Sequence, residues 1–307
     1  MDLRQLAALV AVAEAGTFSA AASRLHTVQS NVSAHVARLE RELGATLVDR
    51  AGGRLTGEGE AVVARARRIQ AELDALVADV SSVRDEVAGN VRLGVIGTTG
   101  RWLLPPLLDA VASRYPRVQV AVLEGNTTSL VPQLVAGAVD LAVVNLPIDD
   151  PDTTVEVLFE EDLLLVAPAA HVLAGRRELT LDELAEHRLL LPPPGTSIRV
   201  ELDRAAAAAG LSLQAQAELD GLRLIASLAF EGYGAAVLPA TAVPNRADGA
   251  WRSVAITGVG RRRVGMARRR RGLPSAPARA LHDAIGDVVD TQVTAQAGVH
   301  PPRRRTS

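Results

Sequence analysis

Residues 17–44 read TFSAAASRLHTVQSNVSAHVARLERELG, and this stretch decides how the N-terminal part of the chain folds. Small side chains at 20–22 mark a short helix that lets a neighbouring helix approach closely. Thr27 is placed to cap the helix that follows. In that helix a helical repeat of apolar residues predicts one buried stripe, formed by Val32, Val36, Leu39 and Leu43. Two helices joined by a tight turn predict a helix-turn-helix.

The opposite face of the second helix carries side chains suited to DNA. Gln29 is able to pair with adenine through two hydrogen bonds, and serines bond to base edges or phosphates. Arginines on the helix and beyond it suit phosphates. We expect the DNA-contacting residues to be Ser19, Gln29, Ser30, Ser33, Ala34, Arg38, Arg50 and Arg54. Taken alone, the pattern leaves open a helical corner with no DNA role.

Residues 47–50 and 54–56 flank Gly52-Gly53 and predict a two-stranded ribbon with a tight turn, the wing of a winged helix. Residues 1–58 contain six arginines and six acidic residues. Non-specific attraction to DNA phosphates is therefore expected to be modest and sensitive to salt. A dimer offsets this weakness by engaging two half-sites about 34 Å apart.

After Gly59 the chain predicts a long helix with a seven-residue repeat. Its apolar residues alternate steps of four and three, a spacing that keeps one seam facing a partner helix. We interpret the repeat as a coiled coil between subunits; a helix packed on its own domain is the alternative. At about 1.5 Å per residue, the helix is expected to be roughly 40 Å long. The residues assigned to dimerisation are Val62, Ile69, Leu73, Leu76, Val80 and Val83.

From Gly89-Asn90 onwards, short β-branched runs alternate with helical stretches. This alternation predicts parallel βαβ units, arranged as two sets with a final strand and helix that return to the first set. Helices are expected around 103–114, 129–137, 197–209, 221–231 and 275–290.

Several segments of the N-terminal region resemble the LysR-type transcriptional regulators. They are FSAAASRLH (18–26), QSNVS (29–33), RLERELGATLVDR (38–50) and LTGEG (55–59), which matches the end of that family's winged module. A weaker likeness continues along the chain, for example at 137–142. Ala34 and His35 stand where the family often has longer polar or basic side chains, and Val48 replaces its usual phenylalanine.

The resemblance implies a mixed α and α/β fold with an N-terminal winged helix-turn-helix and a long linker helix. It implies a C-terminal effector-binding domain like the type 2 periplasmic binding proteins, with two α/β subdomains hinged around a cleft. The implied function is transcription regulation, with promoter DNA, a small-molecule effector, further copies of the chain as dimer or tetramer, and RNA polymerase as partners. The expected divisions are 1–58, 59–88 and 89–293, with subdomains at about 89–164 plus 266–293 and 165–265, and a disordered basic tail at 294–307.

Loops at the carboxyl ends of the predicted strands indicate where the effector binds. In open α/β sheets, ligands lie at these ends, against helix N-termini. Hydroxyls and backbone N–H groups converging there suit a small anion such as a carboxylate. Helix caps are the alternative role for each loop taken singly. We expect the effector at Thr98, Thr99, Gly100, Asn126, Thr127, Asn145, Gly195, Thr196 and Ser197, with Thr98, Thr127 and Thr196 the strongest candidates.

Composition excludes several chemistries. There is no cysteine, which removes disulfides, thiolate metal sites and cysteine nucleophiles, and all 33 basic residues are arginine. The six histidines have no metal-ligand spacing, and we expect no metal, cofactor or catalytic group. Acidic clusters at 149–152 and 160–162 are interpreted as solvated, and arginine runs at 261–263 and 268–271 as charged strand edges rather than DNA contacts.

Neither a signal sequence nor a membrane-spanning apolar run is evident, so a cytoplasmic protein is expected. Two other functions are alternatives to a ligand-responsive regulator. A solute-binding protein accounts for the cleft but not for the helical residues ahead of it, and a DNA-binding module fused to an enzyme lacks any recognisable catalytic group.

Overall fold

The computed structural model describes residues 1–49, 54–82, 87–245 and 249–302. Its N-terminal part has three helices, α1 (Leu3–Ala15), α2 (Phe18–Arg24) and α3 (Gln29–Leu43), followed by an antiparallel pair, β1 (Val48–Asp49) and β2 (Arg54–Leu55). Asp2 and Gln5 form a capping box at the start of α1, and Gly16, with φ of 73°, ends it. Thr17 caps α2. The three helices enclose a core that includes Leu9, Ala21, Val36 and Leu39.

The start of α3 differs from the prediction. Val28, not Thr27, is its N-cap residue, and it provides no side-chain cap. The Thr27 hydroxyl instead accepts a hydrogen bond from the Asn31 side chain at 3.0 Å.

The linker helix α4 (Gly57–Ser82) connects the winged helix to the first α/β subdomain. In its first half Val63 and Ala66 are buried in the winged-helix core. Near its end, the Asp79 carboxylate accepts a hydrogen bond from the backbone N–H of Ala276 at 3.1 Å and pairs with Arg279 at 3.2 Å. The helix therefore packs against both the DNA-binding and the effector-binding parts.

The first α/β subdomain is built on a six-stranded sheet of order β14-β6-β13-β5-β3-β4. β3 pairs in parallel with β4 and β5, and β13 runs antiparallel between β5 and β6. Its elements are β3 (Ala88–Ile96), α5 (Gly97–Arg114), β4 (Arg117–Gly125), α6 (Thr127–Val135), β5 (Leu141–Leu146), β6 (Thr153–Glu161), β13 (Arg262–Arg269), α10 (Ala276–Val293) and β14 (Val299–His300).

The second subdomain has its own six-stranded sheet of order β10-β9-β11-β7-β12-β8. Apolar strands such as β11 are buried along their whole length between helices. Its elements are β7 (Leu163–Pro168), β8 (Glu178–Leu179), α7 (Leu181–Ala185), β9 (Arg188–Leu191), α8 (Ser197–Ala208), β10 (Gln214–Glu218), α9 (Leu222–Phe230), β11 (Ala235–Pro239), a 3₁₀ turn (Ala240–Ala242) and β12 (Trp251–Ile256).

Two predicted divisions need correction. The crossing between subdomains lies at Asp162, because β7 already belongs to the second sheet, and the return crossing precedes β13, because all of that strand pairs with β5 and β6. Residues 294–302 are not a disordered tail. Gln296 is buried and donates to the carbonyls of Ala240 and Val243 at 3.0 and 2.9 Å, and Val299 pairs with β6. Residues 303–307 lie outside the described residues.

Among the described residues no single helix is long and apolar enough to cross a membrane. The pair α1 and α2 reaches that length and composition only together, across a bend of 116°.

Candidate functional site

The predicted DNA-contacting residues share the outer face of the helix-turn-helix. Gln29, Ser30, Ala34 and Arg38 are exposed along α3, and Ser33 is half-buried among them. Val32, Val36 and Leu39 occupy the opposite, buried face, as the repeat predicts, but Leu43, predicted to belong to the same stripe, is 43% exposed at the end of the helix. Ser19 is exposed on α2 and Arg54 on β2, whereas Arg50 lies outside the described residues.

The predicted dimerisation seam divides into two parts along α4. Val62 is half-buried against the winged-helix core, so it packs within its own domain. Further along, Ile69, Leu73, Leu76 and Val80 are 40%, 40%, 62% and 59% exposed. Val83 lies outside the described residues. The seam therefore leaves an apolar stripe uncovered within one chain.

A cavity of about 770 Å³ lies between the two subdomains. Both sheets present the carboxyl ends of their parallel strands to it, so loops and helix starts from both line its walls. Seven of the nine predicted effector residues line this cavity: Thr98, Asn126, Thr127, Asn145, Gly195, Thr196 and Ser197.

Thr99 and Gly100 do not line the cavity, and their assignment to the effector site is wrong. Thr99 is fully buried inside α5. A Cβ atom on Gly100 would lie 3.2 Å from Val95, so this position faces the sheet. The reason is that α5 begins directly after β3, and each helical residue turns the side-chain direction by about 100°.

The three strongest candidates have hydroxyls that are already bonded within the protein. The Thr98 hydroxyl accepts from Arg262 Nη2 at 3.2 Å, and the Thr127 hydroxyl accepts from the backbone N–H of Asn145 at 3.0 Å. The Thr196 hydroxyl donates to the Pro193 carbonyl at 2.9 Å. These threonines shape the loops of the cleft.

The floor of the cleft contains a buried ion pair that sequence reasoning missed. Glu161 and Arg262 face each other across β6 and β13, with Arg262 Nε 2.8 Å from Glu161 Oε1. The other Glu161 oxygen accepts from the backbone N–H of Thr241 at 2.9 Å. The prediction that Glu161 belongs to a solvated acidic cluster is therefore wrong. The prediction that Arg262 lies on a charged strand edge is wrong as well. The available signal was the period of two that places Arg262 on the same face as Val264 and Met266.

Two polar contacts span the mouth of the cleft. Arg223 at the start of α9 pairs with Glu124 at the end of β4, with Nε 2.9 Å from Oε1. The Asn145 amide donates to the Ser197 hydroxyl at 3.4 Å. Asn145 Oδ1 is buried, and no described residue bonds to it. Glu124 and Arg223 were not predicted to belong to the site, although both line the cavity.

Glu201 in α8 lies within electrostatic reach of the same buried pair. Burial raises the pKa of its carboxyl group above the ordinary value of 4.5, and Arg262 and Arg204 offset part of that rise. Its Oε2 atom is buried, and the described residues provide no hydrogen-bond partner for it. In the described part of the chain, no cluster of three or more His, Cys, Asp or Glu side chains is arranged to hold a metal.

Comparison with known proteins identifies the assembly of a helix-turn-helix, a linker helix and a two-subdomain cleft. Residues 3–60 match the family model "Bacterial regulatory helix-turn-helix protein, lysR family", and residues 84–290 match "LysR substrate binding domain". The chain belongs to the LysR family of transcription regulators. The predicted family and fold class are therefore confirmed.

Individual relatives agree with this family. A probable hydrogen peroxide-inducible genes activator of Streptomyces viridosporus is 37% identical over 247 residues, covering 79% of this chain and 78% of that protein. A full-length OxyR cysteine-to-aspartate variant from Pseudomonas aeruginosa is 25% identical, with a TM-score of 0.78 over 99% of both chains. CbnR in complex with its target DNA is 25% identical, with a TM-score of 0.68 over 95% of this chain and 99% of that one.

As a LysR-family member, the protein is an oligomeric DNA-binding transcription regulator whose activity is modulated by an effector. The family consists of transcription regulators rather than enzymes. The winged helix and the linker also argue against the alternative function of a solute-binding protein without a DNA role.

Proposed function

We propose that this regulator responds to a small anion that carries a hydrogen-bond donor and binds reversibly between its two α/β subdomains. Dimers form through the exposed part of the α4 seam and place α3 of each subunit in a major groove. Gln29 and the α3 serines contact base edges, while Arg38, Arg50 and Arg54 contact phosphates. The protein acts in the cytoplasm together with RNA polymerase and carries out no reaction on its effector.

The observation that carries this proposal is the lack of side-chain caps at the N-termini of most helices that begin at the cleft. Four helices begin there: Asn126 caps α6, whereas α5, α8 and α9 receive no side-chain cap from the described residues. Uncapped N-termini leave backbone N–H groups and the positive end of the helix dipole for a ligand, which favours an anion.

Side chains at the cleft refine the ligand's chemistry. Arg223 is 65% exposed, and among the described residues it pairs only with Glu124, so an incoming carboxylate is able to compete with Glu124 for its guanidinium group. Buried Asn145 Oδ1 needs a donor, which a hydroxyl or amino group of the ligand supplies. A hydroxy- or amino-carboxylate fits both features.

Several relatives are named as hydrogen peroxide-inducible genes activators or probable activators. A thiol-based response to peroxide needs a cysteine that is oxidised to a sulfenic acid or a disulfide. These 307 residues contain none. We therefore infer that this regulator's signal is a bound ligand and not an oxidised cysteine.

The test is a thermal-shift screen of the full chain against small aliphatic and aromatic carboxylates, with and without hydroxyl or amino groups, followed by calorimetry. Arg223→Gln is expected to weaken binding of the best carboxylate about 10- to 150-fold, because one charge-assisted contact is lost. Arg188→Gln, on an exposed position of β9, is the matched control and is expected to bind as the parent does.

Two results would contradict the proposal. One is unchanged carboxylate affinity in Arg223→Gln. The other is an operator footprint that changes with hydrogen peroxide and with none of the carboxylates.

A further inference from the structure

A second cavity lies away from the cleft, where the linker helix meets the first subdomain. Its volume is about 340 Å³, room for roughly ten water molecules. One wall is α4 and another is the turn that follows β13, so the two walls belong to different parts of the protein. The lining residues are Arg65, Arg68, Glu72, Val135, Asp152, Arg269, Arg271 and Gly272.

Four arginines against two carboxylates give this cavity a positive balance. Arg269 is committed to the protein, since it donates to the carbonyls of Leu134 and Val139 at 3.2 and 2.9 Å. Arg65, Arg68 and Arg271 have no hydrogen bond or ion pair with the described residues. Arg68 Nε is buried and also lacks a partner there, which is costly for a cationic group.

We propose that this cavity is a second ligand site, for a compact anion with two or more phosphoryl groups. Guanidinium forks bind phosphate oxygens in pairs, and here they approach from α4 on one side and from the 269–271 turn on the other. The cavity volume of about 340 Å³ has room for an anion larger than a single carboxylate. The arginine run at 268–271, which the effector cleft does not use, supplies the second wall.

An anion held by both walls joins the linker helix to the first subdomain. The same two parts already meet at Asp79, which binds Ala276 and Arg279. The anion therefore stabilises whichever arrangement of linker and effector domain keeps the two arginine groups close together. Its binding is coupled to the arrangement of the DNA-binding domains without involving the cleft.

The experiment is calorimetry of the full chain with sodium pyrophosphate in phosphate-free buffer. The parent is expected to bind, and Arg68→Gln with Arg271→Gln is expected to bind roughly 100-fold more weakly, tenfold for each charge-assisted contact. Arg177→Gln with Arg188→Gln removes the same charge from exposed positions elsewhere and is expected to match the parent. Arg223→Gln, in the cleft, is also expected to leave pyrophosphate binding intact.

An equal loss of affinity in the two double variants would overturn the proposal, because it would show attraction to net charge only. Unchanged pyrophosphate affinity in Arg68→Gln with Arg271→Gln would overturn it too. The proposal would also be overturned if Arg68→Gln with Arg271→Gln bound random-sequence duplex DNA more weakly but pyrophosphate as tightly as the parent. That result would assign these arginines to contacts with the DNA backbone. The unfolding temperature without ligand verifies that each variant is folded.

Discussion

Replacing Glu161 by glutamine tests how strongly the floor of the cleft depends on its buried ion pair. The Glu161 side chain is 0% exposed and that of Arg262 is 4% exposed. Glutamine keeps the shape and an oxygen for the backbone N–H of Thr241, but it removes the only charge that hydrogen-bonds to Arg262 among the described residues. The variant therefore leaves a cation buried without its counter-ion.

Removing one partner of a buried pair costs about 3–5 kcal/mol, far more than an exposed pair contributes. For a unit of 150–250 residues, each 1 kcal/mol shifts the unfolding temperature by about 2–4 °C. Glu161→Gln is thus expected to lower the unfolding temperature of the effector-binding domain by about 6–20 °C. Adding Arg262→Met removes the unpaired cation and is expected to recover more than half of the loss, since apolar replacement of a buried pair is often neutral.

Calorimetry of the full chain and urea denaturation measure these changes. Glu156→Gln is the matched control on the same strand; its exposed carboxylate is 3.2 Å from His282 Nε2, and because exposed pairs contribute little, the change is expected to alter stability by less than about 1 kcal/mol. A loss below about 1 kcal/mol in Glu161→Gln would refute the reasoning, and so would a double variant less stable than the single one.

Two further predictions concern the linker and pH. Leu76→Glu with Val80→Glu is expected to convert dimers to monomers in analytical ultracentrifugation and to weaken operator binding at least tenfold. Gln70→Glu, which is not one of the seam residues, should change neither the oligomeric state nor operator binding. Dimers that persist in the Leu76→Glu, Val80→Glu variant would exclude the seam as the dimer interface. Because the folded-state pKa of Glu201 is raised, the folded state binds more protons than the unfolded state above pH 4.5, so stability falls as pH rises through that window. Glu201→Gln should therefore be more stable than the parent at pH 7, and the difference should disappear towards pH 4; a difference independent of pH would contradict this.

Local sequence patterns predicted the helices of the N-terminal winged helix well, because these helices are determined by residues close together in the sequence. The buried stripe of α3 and the end of α1 at Gly16 depend on residues within one or two helical turns. Val32, Val36, Leu39 and Gly16 have the predicted role, whereas Leu43 is exposed. The α/β alternation likewise predicted two subdomains. Strands β6, β8, β10, β12 and β14 were not predicted: β8 and β14 have only two residues each, β10 and β12 lack a continuous apolar run, and β6 carries acidic residues at its end that masked its buried positions.

The cleft was less predictable because its geometry depends on distant parts of the chain. Whether Thr98 or Thr99 faces the ligand is set by the single residue at which β3 becomes α5, and boundaries of this kind are not encoded in composition. Glu161 and Arg262 are about a hundred positions apart, so only the register of β6 against β13 brings them together. Glu124 and Arg223 meet only because two separately folded subdomains face each other.

The contacts of the linker helix constrain how an effector signal reaches the DNA. α4 packs mainly on α1 of the winged helix and on β3 and α10 of the first subdomain. Glu124 and Arg223, like Asn145 and Ser197, join the second subdomain to the first across the cleft, away from these linker contacts. We infer that an effector bound in the cleft shifts DNA binding only if the second subdomain contacts another subunit, so that the effector stabilises one arrangement of the oligomer over another. On this argument a monomeric variant still binds the effector in the cleft but no longer transmits it to the operator.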